Sequence, residues 1–225
     1  MVLIETIVVG EAKSYAHLTL PQLWNFAHRI NADFQVRSNF IPKSGTPPMK
    51  ADCPQWEKVN IIRDFAKQER HSTLIYLDAD ILPHPNAAGR VIDLLDELDA
   101  GAMGAVIERP ESEPEKWAAF YRKWYQDFHN TDEIPAPYFN SGVMFITLEY
   151  AKQWAEQMPD KYLSWFWEQH YLNATAPSGV QPISVDFNWS LQKQPIDSVV
   201  FGHAYNTSKI NALTRLALEW ADSTI

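Results

Sequence analysis

An apolar run, Leu74-Ile75-Tyr76-Leu77, delivers two aspartates one residue apart, Asp78 and Asp80, with Ala79 between them and Ile81-Leu82 beyond. In extended backbone, residues i and i+2 face the same side. Both carboxylates can therefore reach one hard cation, which takes oxygen ligands and often holds a substrate diphosphate. The C-terminal ends of strands are also where ligands bind in open α/β sheets. Such a pair is a candidate metal–nucleotide site, although three residues recur by chance and the same pair can cap a turn. A second polar cluster, Asn140-Ser141-Gly142, stands where a loop enters the apolar run Val143-Met144-Phe145-Ile146. A glycine there lets backbone come close to a ligand, and an asparagine both donates and accepts. By itself, this cluster reads more simply as a turn before a strand.

The elements that must position these groups are legible as periodicity. Ile4 to Val9 is apolar and β-branched and stops at Gly10, giving a first buried strand. Tyr15 to Ile30 repeats apolar residues at helical spacing, and Pro21 argues for a late helix start. A second strand is expected over Asp33 to Phe40, a loop over Ile41 to Pro54, and a helix over Trp56 to Gln68 before the diaspartate strand. This β-α-β-α-β order predicts an α/β fold with a mainly parallel, doubly wound central sheet and flanking helices. Farther on, a helix is expected over Ala87 to Leu98 and a strand over Gly101 to Ile107. Glu113 to His129 reads as a helix with an aromatic stripe from Trp117 to Phe128. A strand over Tyr138 to Leu148, a helical stretch from Glu149 to Leu172 interrupted near Pro159, and a mixed tail closing in a short helix complete the reading.

At 225 residues the chain suits one domain with a substantial core. A formal net charge of -9 argues against a nucleic-acid surface, but a metal can still neutralise the phosphates of a nucleotide. Cys53 is the only cysteine, which excludes an intrachain disulfide and suits a reducing compartment. No apolar run approaches a membrane span, and Met1 to Glu5 has no basic n-region. The expectation is a soluble, cytoplasmic protein whose oligomeric state is not readable.

Four ordered segments resemble one family. Tyr76 to Leu82 is similar to the diaspartate strand of the family 8 glycosyltransferases, the group of glycogenin and bacterial galactosyltransferases. Tyr138-Phe139-Asn140-Ser141-Gly142-Val143-Met144 resembles the family's Phe-Asn-(Ser/Ala)-Gly-Val block. Glu168-Gln169-His170-Tyr171-Leu172-Asn173 resembles its Asp-Gln-Asp-x-Leu-Asn block, and His203 with Lys209 six residues later its C-terminal His-x-x-Gly-x-x-Lys block. With weaker matches, the resemblance spans nearly the whole chain. It implies a GT-A domain over residues 1–225, with 1–107 as the nucleotide-binding half and 108–225 as the acceptor-side half. It implies a retaining, metal-dependent transfer of a hexose from a uridine diphosphate (UDP) sugar to a soluble glycan or glycoside acceptor.

In such a transfer, negative charge builds on the departing diphosphate, and a divalent metal and a nearby ammonium stabilise it. By the resemblance, Asp78, Asp80 and His203 hold the metal and Lys209 approaches the phosphates as a point charge. A mixed oxygen–imidazole set suits manganese better than magnesium or calcium, with magnesium as the substitute. Val9, Gly10 and Tyr15 correspond to positions that hold the uridine, and Lys58 to a basic residue facing the phosphates. Asn140, Ser141 and Gly142 correspond to the sugar side. Asp132 is a further, weaker candidate for the sugar hydroxyls. Glu168 and Gln169 lie at the sugar's reactive face, where Gln169 is a poor nucleophile suited to electrostatic positioning.

The chain departs from the pattern at Glu168, where the family has aspartate, and at His170, where aspartate or glycine is usual. These departures keep open a catalytically weak or inactive nucleotide-sugar-binding protein of the same fold. The stripe from Trp117 to Phe128 reads as core, while Trp165 and Trp167 divide evenly between core and a sugar platform. A phosphatase of the haloacid dehalogenase type also uses strand-end Asp-x-Asp. That family places the motif on its first strand and has Thr or Val where this chain has Leu82.

Overall fold

A computed structural model describes residues 1–39, 54–108, 137–158, 168–191, 198–204 and 208–222. The chain runs through β1 (Val2–Ile7), α1 (Ala16–Arg29), β2 (Asp33–Arg37), α2 (Glu57–Lys67), β3 (Thr73–Leu77) and β4 (Ile81–Pro83). It continues through α3 (Ala87–Glu97), β5 (Met103–Ile107), β6 (Phe139–Thr147), α4 (Leu148–Gln157) and α5 (Glu168–Thr175). The last elements are β7 (Val180–Ile183), β8 (Trp189–Ser190), β9 (Phe201–His203) and α6 (Lys209–Asp222).

Strand β1 is buried at five of six positions, Glu5 and Thr6 among them, so burial runs along the strand rather than alternating. That is the pattern of a strand covered on both faces. Successive residues still divide between two cores. Leu74 and Tyr76 of β3 join Val59, Ile62 and Phe65 of α2 and Tyr150 and Trp154 of α4. Ile75 and Leu77 point the other way, onto Leu23 and Phe26 of α1 and Val91 and Leu94 of α3. Each fully buried side chain of this size contributes roughly 1.5–3 kcal/mol.

The six-stranded sheet has the order β2-β1-β3-β6-β5-β7. Five strands run one way, and β6 runs against them, antiparallel to both β3 and β5. The expected mainly parallel sheet is present, with one reversal. Ile107 and Phe139 are register partners, so the chain leaves β5 and enters β6 at the same sheet edge, which forces opposite directions. That reversal brings the start of β6 beside the C-terminal end of β3, where Leu77 faces Val143.

Two local expectations need correction. The diaspartate strand is not continuous: β3 ends at Leu77, and Ile81 to Pro83 belong to a second sheet, β4-β9-β8. The i, i+2 argument therefore does not place the aspartates, which occupy the turn between the two strands. Helix α1 also starts early, at Ala16, with Pro21 inside it. Pro21 and His17 are solvent-exposed, so the carbonyl that Pro21 leaves without a helical partner is open to water. Buried Thr19, Leu23, Phe26 and Ala27 hold the helix in place.

The helix expected over 113–129, with its aromatic stripe, and most of the loop expected over 41–54 lie outside the described residues, as do Asp132, Trp165 and Trp167. Among the described residues, no helix is long and apolar enough to cross a membrane.

Candidate active site

At the end of β3, the Ile81 N–H donates to the Asp78 carbonyl across 3.0 Å, which closes the aspartate turn. Three elements hold this turn, one residue each. The Asp78 N–H donates to the Gly142 carbonyl of β6 at 2.8 Å, and the Ala204 N–H, just past β9, donates to the Asp80 carbonyl at 3.1 Å. Between them, the buried Thr19 hydroxyl of α1 donates to the Ala79 carbonyl at 2.7 Å. His203 arrives through the small sheet, where it is the register partner of Ile81.

Each of the three side chains at this turn commits one polar atom to the protein and presents another inward. Asp78 Oδ1 accepts from the Tyr76 hydroxyl at 2.7 Å and pairs with Lys58 Nζ at 3.0 Å. Its Oδ2, 3.3 Å from the same ammonium, faces His203 Nε2 at 3.9 Å. Asp80 Oδ2 pairs with Lys209 Nζ at 2.9 Å, leaving Oδ1 at 3.3 Å from His203 Nε2. His203 Nδ1 lies 2.7 Å from Asn188 Oδ1. Ligand atoms of Asp78, Asp80 and His203 all come within 4.8 Å of one another. Two carboxylates and an imidazole, each braced from behind, fit a divalent metal ion.

Gly142 is required by this crowding. A Cβ there would lie 2.6 Å from His203 Cε1 and 3.0 Å from Asp78 Oδ2. A ligand was the expected reason for the glycine; the imidazole and the carboxylate are the neighbours that come close. Gly142→Ala is accordingly expected to destabilise the fold by about 1–3 kcal/mol and to weaken any divalent-metal binding at Asp78, Asp80 and His203. Urea unfolding and a manganese titration check it, and a variant unchanged in both refutes it. Gly10 is different. Its surroundings are open, but its φ of +61° favours glycine as the chain leaves β1 through Val9 into a turn of 3-10 helix.

Burial opposes the charge of Asp80, but His203 and Lys209 outweigh it and hold the carboxyl well below its usual range. Lys209, the first residue of α6, is half-buried; desolvation would lower its pKa, yet Asp80 raises it. Its ammonium sits 5.3 Å from the centre of the Tyr15 ring. Burial pushes the Tyr15 hydroxyl up to about 12, with the nearby Asp80 charge adding to it.

Behind the aspartates lies a buried ion cluster. Lys58 is only 2% exposed and pairs with Asp78 and, at 2.9 Å, with Glu168 Oε1. It also donates to the Ser141 carbonyl and hydroxyl, both at 3.2 Å. The sequence reading had Lys58 facing phosphates; the structure places its ammonium beneath the turn, between two carboxylates. Desolvation works against the Lys58 charge, but Asp78 and Glu168 hold its pKa above the ordinary lysine value. Glu168 is likewise depressed despite burial, by Lys58 first and by the Ser141 hydroxyl, which donates to Oε1 at 2.8 Å.

Gln169 and Asn140 are joined to the same region. Gln169 Oε1 accepts from the Ser141 N–H at 3.1 Å, and its Nε2 donates to Glu108 Oε2 at 2.9 Å and to the Tyr138 hydroxyl at 3.1 Å. Asn140 Nδ2 donates to Glu108 Oε1 at 2.6 Å. Glu108, Asn188, Thr19 and Tyr76 are site residues that the sequence reading missed. Glu108 and Tyr76 had usable signals, since Glu108 directly follows β5 and Tyr76 stands two residues before Asp78. Asn188 stands far from every motif, and Thr19, one helical turn past Tyr15, has no residue-type signal of its own.

No protein-family model matches the sequence, and no curated protein does. Solved structures do match. A glycosyltransferase involved in the glycosylation of the major capsid of PBCV-1 superposes with a TM-score of 0.63 at 15% identity, over 96% of this chain and 98% of its own. The galactosyltransferase LgtC, in complex with donor and acceptor sugar analogs, superposes with a TM-score of 0.56 at 16% identity, over 98% and 95%. Mouse xyloside xylosyltransferase 1 gives 0.55 at 14% identity, over 92% and 98%. At such identities the shared property is architecture: this chain has the GT-A glycosyltransferase fold.

Proposed function

We propose that the protein is a metal-dependent, retaining glycosyltransferase of the family 8 kind that transfers a hexose from a UDP-sugar to a soluble acceptor. The observation that carries this reading is the convergence of Asp78, Asp80 and His203, with Lys209 beside them, at the strand ends of a GT-A fold. Asp78, Asp80 and His203 would hold manganese, which when bound would supply positive charge against the departing diphosphate. Lys209 adds a second positive charge from the start of α6. Tyr15, Val9 and Gly10 flank the uridine at the end of β1.

In the transfer, the bond from the anomeric carbon to the diphosphate oxygen breaks, the acceptor oxygen bonds the same carbon, and the acceptor proton leaves on the diphosphate. Gln169 suits the positioning role rather than nucleophilic attack, because both ends of its amide are engaged by Ser141, Glu108 and Tyr138. Asn140 and Ser141 shape the same side. Glu168 shares with Asp78 the charge of Lys58, the buried cation that holds one metal-side aspartate in place.

A second reading, a nucleotide-sugar-binding protein with little turnover, draws on one observation. The Glu168 carboxylate is 7% exposed and occupied by Lys58 and Ser141. A mass-spectrometric screen of nucleotide-sugar donors with manganese separates the two. Manganese-dependent release of UDP from one donor is expected. UDP binding with no turnover across the panel selects the binding protein instead.

A further inference from the structure

We propose that Asn188 is a positioning residue: its amide oxygen takes the Nδ1–H of His203 and so turns Nε2 toward Asp78 and Asp80, and it ties that ring to Asn140 and Gln169. The role rests on the metal-dependent reading above. It follows from one hydrogen whose direction is not in question. A backbone N–H can only donate, and the Gly142 N–H lies 2.8 Å from one end of the Asn140 amide, so that end is Oδ1. The other end is then Nδ2, which donates to Glu108 Oε1 at 2.6 Å. Asn188 places an atom 2.7 Å from the same Asn140 Oδ1, and only its Nδ2 can donate there. Its remaining atom, Oδ1, lies 2.7 Å from His203 Nδ1, so Nδ1 carries the hydrogen. A neutral imidazole has one N–H. In the neutral ring Nε2 then holds its lone pair on the side of Asp78 and Asp80, the form that binds a metal.

The chain continues past Asn140. Glu108 takes Asn140 on one oxygen and, at 2.9 Å, Gln169 on the other. Gln169 Oε1 in turn accepts from the Ser141 N–H at 3.1 Å. Neighbouring backbone hydrogens of β6 thus set the polarity at both ends, and Asn188 is the joint between the metal half and the sugar half. Its own position is set by packing. It is 6% exposed and ends the 3-10 turn Val185–Asn188, whose Phe187 meets Phe145 edge-on at 5.7 Å. Without Asn188, the imidazole hydrogen has a competing acceptor on the other side, Asp80 Oδ1, 3.3 Å from Nε2. A hydrogen placed there occupies the lone pair that the metal needs.

The test uses two substitutions and two readouts. Manganese affinity is measured by the electron paramagnetic resonance of free manganese. The His203 tautomer is read in the metal-free protein from imidazole nitrogen-15 shifts, followed across pH so that the spectra themselves identify the neutral ring. Asn188→Ala is expected to weaken manganese binding about 10- to 100-fold and to abolish the Nδ1–H signature. Asn188→Asp keeps an acceptor for Nδ1–H but has no donor for Asn140. It is expected to keep both the manganese affinity and the signature while losing about 10- to 100-fold in donor turnover. Wild-type affinity and tautomer in Asn188→Ala overturn the proposal. An Nε2–H ring in Asn188→Asp overturns it too, which keeps the test decisive where the alanine variant does not fold. A wild-type protein that binds no manganese instead removes the metal-dependent reading, and the tautomer spectra still decide the role of Asn188.

Discussion

Lys58→Met is expected to lower folding stability by about 3–5 kcal/mol, the scale of breaking a buried ion pair from one side. Methionine fills the space of the lysine stem, so the loss isolates the charge. Glu168 and Asp78 remain behind, and Glu168 has almost no water to turn to. Urea unfolding at neutral pH measures the loss, and an unchanged midpoint refutes it. Lys58→Met combined with Glu168→Leu is expected to recover a large part, because no fully buried carboxylate is then left alone.

The pH dependence carries a sign of its own. In the wild type, Glu168 titrates below its ordinary value, so its contribution is complete above about pH 4–5 and is lost as pH falls through the depressed pKa. Lys58 titrates above its ordinary value, so its contribution is complete below about pH 10 and is lost as pH rises further. Between those limits the wild-type cluster is level. In Lys58→Met, Glu168 is buried without its cation and its pKa rises instead. The variant then gains stability on acidification, and the gap between the two proteins narrows from pH 7 to pH 5. A gap that stays constant over that range argues that Glu168 is not desolvated.

Asp80→Asn is expected to reduce kcat/KM by at least about 10²- to 10³-fold, the scale of removing one preorganised electrostatic contact. Asparagine keeps the shape and the turn, but removes an anionic ligand and leaves Lys209 without its 2.9 Å partner. The same variant is expected to lose the manganese-dependent part of the thermal stabilisation by UDP. Equal stabilisation in variant and wild type, with and without manganese, would sink the metal assignment whatever the kinetics show. Because the backbone of the turn is held by Thr19, Gly142 and Ala204, the substitution leaves the fold intact and tests chemistry.

Most of the scaffold was legible because its signals are local. Strands β3 and β6 carry the apolar runs Leu74 to Leu77 and Val143 to Ile146, β1 opens on Val2 to Ile4, and the α1, α2 and α3 helices repeat at 3.6 residues. The diaspartate, Asn140, Glu168-Gln169 and His203/Lys209 segments could be picked out one by one, and their order suggested a common site. What periodicity could not give was the break at Asp78. An apolar run reads the same whether it is one strand or two strands in different sheets, and only pairing partners distinguish them. The reversal of β6 was hidden for a similar reason: direction is set by which edge the chain re-enters, not by residue type.

The residues that could do chemistry, and the α/β class of their support, depend on side-chain identity and short-range period, and both are written along the chain. The tertiary structure decided how those residues are used. It turned the Asp78-Ala79-Asp80 segment from a strand end into a clamped turn, with three distant elements each supplying one hydrogen bond. It assigned Lys58 to a buried charge cluster, because α2 packs directly beneath β3 and β6. It also brought in Glu108 and Asn188. Their amide and carboxylate contacts join residues up to 61 positions apart, and no local pattern records a hydrogen bond of that reach.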